Sequence, residues 1–249
     1  MILELDCGNS LIKWRILNSH DEVIVRGANQ QLQHLLTDID NSQQNFRFCR
    51  LVSVRSEQET SQLINHLETQ YSVSVKQALS CKESCGVKNG YHDYTRLGTD
   101  RWAAIVAAYH QSQQATLTLG FGTAITCDFI DKHGQHLGGF IAPGLMLMRQ
   151  QLLTNTNRIH YHEDLTKDLL APVGRPGEST EDAVNGGCHL MLQGFISQQL
   201  TLANQYFGQH FNIYVAGGDA MYFDIPKAHH MPDLVFYGLS LLCPIMDNS

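Results

Sequence analysis

Short apolar segments open the chain: residues 2–5, 11–17 and 22–26 are strand-like, with Gly8-Asn9 and Asn18-Ser19-His20-Asp21 as turn chemistry between them. Three strands so closely spaced predict an antiparallel meander. Residues 46–54 read as a buried strand, and Ser56-Glu57-Gln58-Glu59 has the capping-box spacing that opens a helix, here through about residue 69. Residues 71–75 read as a further strand. After the polar, glycine-bearing stretch 80–98, the alanine-rich run Asp100-Arg101-Trp102-Ala103-Ala104-Ile105-Val106-Ala107-Ala108-Tyr109 predicts a helix, so the half is β-β-β-α-β-α in outline.

The pattern then restarts. Residues 116–119, 124–130 and 136–141 read as three strands, followed by helices over 145–153 and 179–206 and a strand over 211–216 that ends at Gly217-Gly218-Asp219. A last strand is expected at 234–236, before a closing apolar helix. The repeat is weak in residues and clear in the order of elements. It predicts an α/β chain of two lobes, residues 1–115 and 116–249, each with a mixed sheet and helices.

Composition narrows the function classes. The 249 residues are 43% hydrophobic and 16% charged, ordinary for a soluble protein, and the net charge of -7 argues against broad binding to nucleic acid or anionic membranes. No apolar run approaches the roughly 20 residues that span a bilayer. Met1-Ile2-Leu3-Glu4 lacks the basic start of a secretion signal. The seven cysteines (Cys7, Cys49, Cys81, Cys85, Cys127, Cys188 and Cys243) are odd in number and scattered, as suits reduced thiols in a cytoplasm. Cys81 and Cys85 lack the second ligand pair a zinc site needs.

Candidate chemistry gathers at the first turn. Leu3-Glu4-Leu5-Asp6-Cys7-Gly8-Asn9-Ser10 runs into Leu11-Ile12-Lys13-Trp14, and Leu119-Gly120-Phe121-Gly122-Thr123-Ala124-Ile125-Thr126 echoes it imperfectly. Backbone N–H groups of such hairpin turns can wrap an anion, and two of them suggest a nucleotide cleft. Asp6, a carboxylate beside a nest of N–H groups, makes sense holding a hydrated Mg²⁺, which keeps several waters while bridging nucleotide phosphates. Asn9, Ser10 and Lys13 then offer amide, hydroxyl and ammonium to phosphate. Taken alone, the segment also reads as an ordinary Gly-Asn hairpin turn.

Five motifs carry a resemblance. Asp6-Cys7-Gly8-Asn9-Ser10 with Lys13, Gly98-Thr99-Asp100-Arg101-Trp102, Gly122-Thr123-Ala124-Ile125-Thr126 with Asp128, Gly138-Gly139-Phe140-Ile141-Ala142-Pro143-Gly144 and Gly217-Gly218-Asp219-Ala220 resemble, in the same order over essentially the whole chain, the type III pantothenate kinases. The resemblance implies a duplicated actin-like (ribonuclease H-like) fold and ATP-dependent phosphorylation of pantothenate, the first step of coenzyme A synthesis. It implies that Asp6, Cys7, Gly8, Asn9, Ser10, Leu11, Ile12 and Lys13 wrap the ATP phosphates and that Thr123 touches ATP from the second lobe. Tyr91, Gly98, Thr99, Asp100, Arg101 and Thr180 match pantothenate-contacting positions, with Tyr94 as an alternative to Tyr91, and Asp100 matches the catalytic base. A homodimer is implied, with Thr180 supplied in cis or by the partner subunit.

The residues themselves support Asp100. It falls at the start of a helix, where the dipole keeps a carboxylate ionised and able to accept a hydroxyl proton. The competing reading is a helix N-cap paired with Arg101. One position departs from the pattern: Gly120 stands where the resemblance implies an aspartate ligand for a monovalent cation, K⁺ or NH₄⁺, so reduced or altered dependence on that cation is expected. Asp219 is a further candidate, for the adenosine pocket. His160-Tyr161-His162 lacks a third ligand, and Leu145-Met146-Leu147-Met148 reads as a buried helix face. The alternatives to a pantothenate kinase are a small sugar or acetate kinase of the same superfamily, or a nucleotide-binding regulator without catalysis.

Overall fold

A computed structural model describes residues 1–156 and 175–245. The first half contains β1 (Ile2–Cys7), β2 (Ile12–Leu17), β3 (Val23–Asn29), α1 (Leu32–Asn41), β4 (Phe48–Ser53), α2 (Glu57–Tyr71), β5 (Ser74–Gln77), the short pair β6 (Glu83–Ser84) and β7 (Val87–Lys88), and α3 (Thr99–Ser112). The second contains β8 (Thr116–Phe121), β9 (Ala124–Ile130), β10 (His136–Pro143), α4 (Leu145–Asn155), α5 (Thr180–Phe207), β11 (Asn212–Gly217), β12 (Ala228–His230) and α6 (Leu234–Leu242).

The expected repeat is present in the sheets. One five-stranded sheet runs β3-β2-β1-β4-β5 and the other β10-β9-β8-β11-β12, the same order of corresponding strands. Each joins an antiparallel hairpin to parallel strands: β1 pairs antiparallel with β2 and parallel with β4, and β8 pairs antiparallel with β9 and parallel with β11. In β2, Ile12, Trp14 and Ile16 are buried while Lys13 and Arg15 are less so, the alternation of a strand with one face on a core. The fold is α/β and actin-like.

Two compact units result. One holds Met1–Gln113, Gly134–His136 and the described residues from Asp233 on; the other holds Gln114–His133 and the described residues of Leu137–Pro232. A buried charge network fastens the C-terminal stretch into the first unit. Glu4, fully buried, accepts hydrogen bonds from Arg15 and, at 2.7 Å, from Arg50 Nε, while Arg15 and Arg26 both reach Asp233 at 2.9 Å. Removing Arg15 or Arg50 would leave the buried Glu4 carboxylate short of a partner, a larger loss than that of the more exposed Arg26–Asp233 pair.

Two expected elements differ, and one helix has no signal in the sequence. For α1, Gln31 provides no side-chain cap and only Leu35 and Ile39 of the helix are buried, a faint stripe. Strand β5 begins at Ser74 rather than at residue 71, because α2 extends through Tyr71. The strand expected at 234–236 is the first turn of α6, and the fifth strand of that sheet is the short, polar Ala228–His230. A short apolar run is ambiguous between strand and buried helix. Packing decides here: a Cβ on Gly238 would lie 1.9 Å from the Ala103 carbonyl oxygen, so α6 rests directly on the backbone of α3.

Candidate active site

The β1–β2 ladder closes with Asp6 opposite Lys13 and Cys7 opposite Ile12, leaving Gly8, Asn9, Ser10 and Leu11 as the turn. The Gly8 N–H donates to the Leu11 carbonyl at 3.0 Å, and Asn9, Ser10 and Leu11 are exposed. Cys7 and Ile12 turn their side chains into the core, so only their backbone can serve a ligand. The Cys7 thiol is pushed up to about 12, mainly by burial and then by neighbouring Asp6, which keeps it neutral and unreactive.

Asp6 is the perturbed group of this hairpin. Burial, with a further push from the Asp100 carboxylate and against the pull of Lys13, raises it to about 6. Asp6 and Asp100 therefore sense each other across about ninety residues of sequence. The chain path is consistent with this: the Val54 N–H donates to the Cys7 carbonyl at 3.1 Å, and a Cβ on Gly98, which precedes α3, would stand 4.0 Å from the Val54 side chain.

Gly98 is the residue that caps α3, and Asp100 is its second helical residue, so the N-cap reading of Asp100 fails. Asp100 Oδ1 accepts the Arg101 N–H at 2.7 Å. A Cβ on Gly98 would come 2.9 Å from that same Oδ1, which explains the glycine there. Arg101 donates from Nη1 to the Tyr91 hydroxyl at 2.9 Å, and its guanidinium lies 5.7 Å from the Tyr91 ring centre. Tyr94 instead lies under the Lys82 ammonium, so the contact with Arg101 belongs to Tyr91. Tyr91 stacks on the buried His136, centres 6.0 Å apart and planes at 14°. Asp6, Tyr91, Gly98, Thr99, Asp100 and Arg101 thus all belong to the first unit and are joined by these contacts.

Thr123 and Thr180 belong to the second unit. Thr123 is exposed in the tight turn between β8 and β9, and its carbonyl accepts the Gly144 N–H at 2.9 Å. Phe121, the last residue of β8, stacks on Phe223, which stacks on His189 of α5, with ring centres 5.4 and 4.7 Å apart. Thr180 is exposed at the first position of α5, just after Ser179, whose Oγ caps the helix by accepting the Asp182 N–H at 3.1 Å. Burial raises the carboxyl of Asp219, which sits in the short turn after Gly217. Gly120 pairs with Thr126 across the ladder, and a Cβ on Gly120 would lie 2.6 Å from Thr126 Oγ1. His160 and His162 lie outside the described residues. Among the described residues no group of three or more His, Cys, Asp or Glu side chains is arranged to hold a metal.

Comparison with known proteins decides the family. The family model for type III pantothenate kinase matches residues 2–201. The chain belongs to the type III pantothenate kinase family. It is 48% identical to a type III pantothenate kinase of Pseudomonas aeruginosa strain LESB58, over 98% of this chain and 100% of that one. It is 46% identical to the type III pantothenate kinase of Azotobacter vinelandii, over 98% and 99%. Among solved structures, a protein described as a Baf family transcriptional activator from Campylobacter jejuni superposes with TM-score 0.58 at 20% identity, covering 96% of this chain and 95% of that one. A protein described as an N-acetylmannosamine kinase from Listeria monocytogenes does so with TM-score 0.51 at 14% identity, covering 96% of each. These two likenesses speak to the fold alone.

Two residues of this family member escaped sequence reading. Arg55 donates from Nε to the Gly8 carbonyl at 2.9 Å, at the base of the first hairpin. Its signal, a lone arginine between a buried strand and a capping box, names no partner. His136, under Tyr91, opens a strand as any polar residue might.

Proposed function

We propose that this kinase transfers the γ-phosphoryl group of ATP to the primary hydroxyl of pantothenate, giving 4′-phosphopantothenate, the first step of coenzyme A synthesis. The observation that carries the reading is the pair Asp6 and Asp100: burial chiefly raises Asp6 to about 6, the Asp100 carboxylate is near enough to add to that rise, and Asp100 stands at the start of α3. Like carboxylates brought together in a partly buried place favour a divalent cation and divide the labour of phosphoryl transfer. Asp6 would hold a Mg²⁺ through water, and the bound ion would neutralise charge on the nucleotide phosphates. Asp100 accepts the hydroxyl proton and orients the alcohol. Arg101, with Tyr91 fixing its guanidinium, binds the pantothenate carboxylate by a charge-assisted hydrogen bond, and Gly98, Thr99 and Thr180 complete the substrate contacts. The ATP contacts come from Asp6, Cys7, Gly8, Asn9, Ser10, Leu11, Ile12 and Lys13 in the first unit and Thr123 in the second. Of these, Cys7 and Ile12 act through backbone.

The residues present do not fit a carboxylate site for K⁺ or NH₄⁺ at position 120. Glycine offers no oxygen beyond its backbone, and the Thr126 hydroxyl fills the space where a longer side chain would begin. Turnover is therefore expected to be the same in potassium, ammonium and sodium salts; clear stimulation by potassium or ammonium over sodium would contradict this.

A homodimer suits one face of α5. Leu190 and Met191 are exposed there, and nothing lies within 4 Å of where a Cβ on Gly187 or Gly194 would stand. The seven reduced cysteines suit a cytoplasmic protein. No described helix is long and apolar enough to cross a membrane.

ADP release from ATP, followed with pantothenate, glucose, acetate or no acceptor, tests the reading. Release that requires pantothenate supports it. Release with glucose or acetate instead identifies another kinase of the superfamily, and none under any condition leaves a nucleotide-binding regulator.

A further inference from the structure

A trans peptide places its C=O and the following N–H on opposite sides. The direction of the Gly8 carbonyl therefore sets the direction of the Asn9 N–H, a group at the centre of the exposed turn. The Gly8 carbonyl is held by Arg55 Nε at 2.9 Å. In a turn of glycine and short polar residues, where either peptide orientation is sterically open, the Arg55 contact favours the one observed.

Arg55 is well placed to hold that orientation. Its backbone is fixed twice: the preceding Val54 N–H donates to the Cys7 carbonyl at 3.1 Å, and its own N–H donates to Ser53 Oγ at 3.2 Å. Its side chain is only 16% exposed. Glu59, the acid within reach, stands 3.8 Å from Nη1 and is engaged by Ser56, which donates to it from Oγ at 2.7 Å and from N–H at 3.2 Å. Arg55 also opposes the rise of the Cys7 thiol, so its charge is felt at the end of β1. A cation on the carbonyl side of a peptide polarises it and makes the N–H on the far side a stronger donor.

We propose that Arg55 is a positioning residue for ATP, holding the Gly8–Asn9 peptide so that the Asn9 N–H faces the nucleotide phosphates. The inference rests on the reading that this hairpin holds ATP. It makes Arg55 act through the backbone, without touching substrate, and it gives a reason why the phosphate turn of an acidic chain can meet a polyanion without presenting a row of lysines.

The test measures binding of a non-hydrolysable ATP analogue with Mg²⁺ by calorimetry, alongside KM for ATP and for pantothenate, in the full-length wild type, Arg55→Ala, Arg55→Gln and Arg55→Lys. Loss of one charge-assisted hydrogen bond predicts about tenfold weaker analogue binding and a matching rise in KM for ATP in Arg55→Ala, with KM for pantothenate unchanged. Arg55→Lys and Arg55→Gln, which can each still donate to a carbonyl, are expected to recover part of the loss, the lysine more because it keeps the charge. Wild-type analogue affinity in a folded Arg55→Ala or Arg55→Gln protein would overturn the proposal, as would an equal rise in both KM values. Should Arg55→Ala not fold, the Gln and Lys variants decide on the same criteria. A wild type that binds the analogue but does not phosphorylate pantothenate would remove the proposed reaction and leave the role of Arg55 to be judged from binding alone.

Discussion

The two hairpins that open the two sheets occupy the same place in the same strand order, yet they are built differently. In the first, the rung before the last pairs Asp6 with Lys13, and four residues make the turn. In the second, the corresponding rung pairs Gly120 with Thr126, and only Gly122 and Thr123 lie between the strands. In the first, the Gly8 N–H donates to the Leu11 carbonyl within the turn and Arg55 reaches the Gly8 carbonyl from outside it. The second is clamped by backbone and rings: a Cβ on Gly217 would stand 1.8 Å from the Phe121 oxygen and one on Gly144 2.2 Å from the Gly122 oxygen, and the stack of Phe121, Phe223 and His189 backs it. Duplication has kept a scaffold and divided the work. The first hairpin carries charge; the second carries no carboxylate at this rung and is closely packed.

The largest effect that could break this contrast concerns the clamp. Gly217 has φ of 103°, a conformation that side chains rarely adopt, besides its near-contact with Phe121. Gly217→Ala should cost on the order of 3 kcal/mol or more, seen as a large fall in the urea midpoint or as loss of soluble protein. In the first hairpin, Gly8→Ala meets only the Leu11 carbonyl at 3.1 Å, and should cost about 1 kcal/mol or less. Equal losses would mean that the two turns are held alike.

A second effect separates function from stability at Asp6. Its folded pKa, about 6, lies above the ordinary carboxylate value of 3.8. Between these values the folded protein holds more protons than the unfolded chain, so ionised Asp6 opposes folding fully above pH 6 and not at all well below 3.8. Asp6→Asn should thus lower turnover about a hundredfold, as loss of a group acting on the transferring phosphate does, while raising Tm at pH 8. The gain in Tm should shrink as pH falls from 6 towards 4. A variant that loses both activity and stability would make Asp6 a structural residue.

The smallest effect is a shift in titration. Kcat/KM of the wild type should fall on the acid side with a midpoint near 6, as Asp6 takes up its proton. Because Lys13 lowers the Asp6 pKa, Lys13→Met should move that midpoint upward. A downward shift would contradict the assignment of the acid limb to Asp6.

Much of the fold was legible because strands and turns announce themselves locally. Both meanders, the Ser56–Glu59 capping box and the repeat of elements follow from residue pattern. What stayed hidden depends on partners distant in sequence: α1 buries too little to show a stripe, and the apolar run from Leu234 becomes a helix because Gly238 lets it lie on α3. The site divides the same way. Asp100 could be placed near a helix start from sequence, but its electrostatic influence on Asp6, ninety-four positions earlier, comes from tertiary packing. Arg55 and His136 act through a carbonyl and a ring stack, contacts that no spacing encodes.

The central claim is that two carboxylates near enough to influence each other share the reaction, Asp6 on the nucleotide side and Asp100 on the acceptor hydroxyl. Turnover of pantothenate by Asp100→Asn, measured together with ATP-analogue binding, tests it most directly. The account predicts a fall in kcat of roughly a hundredfold or more, the loss expected on removing a general base, with analogue binding retained. Near-wild-type turnover in that variant would contradict it.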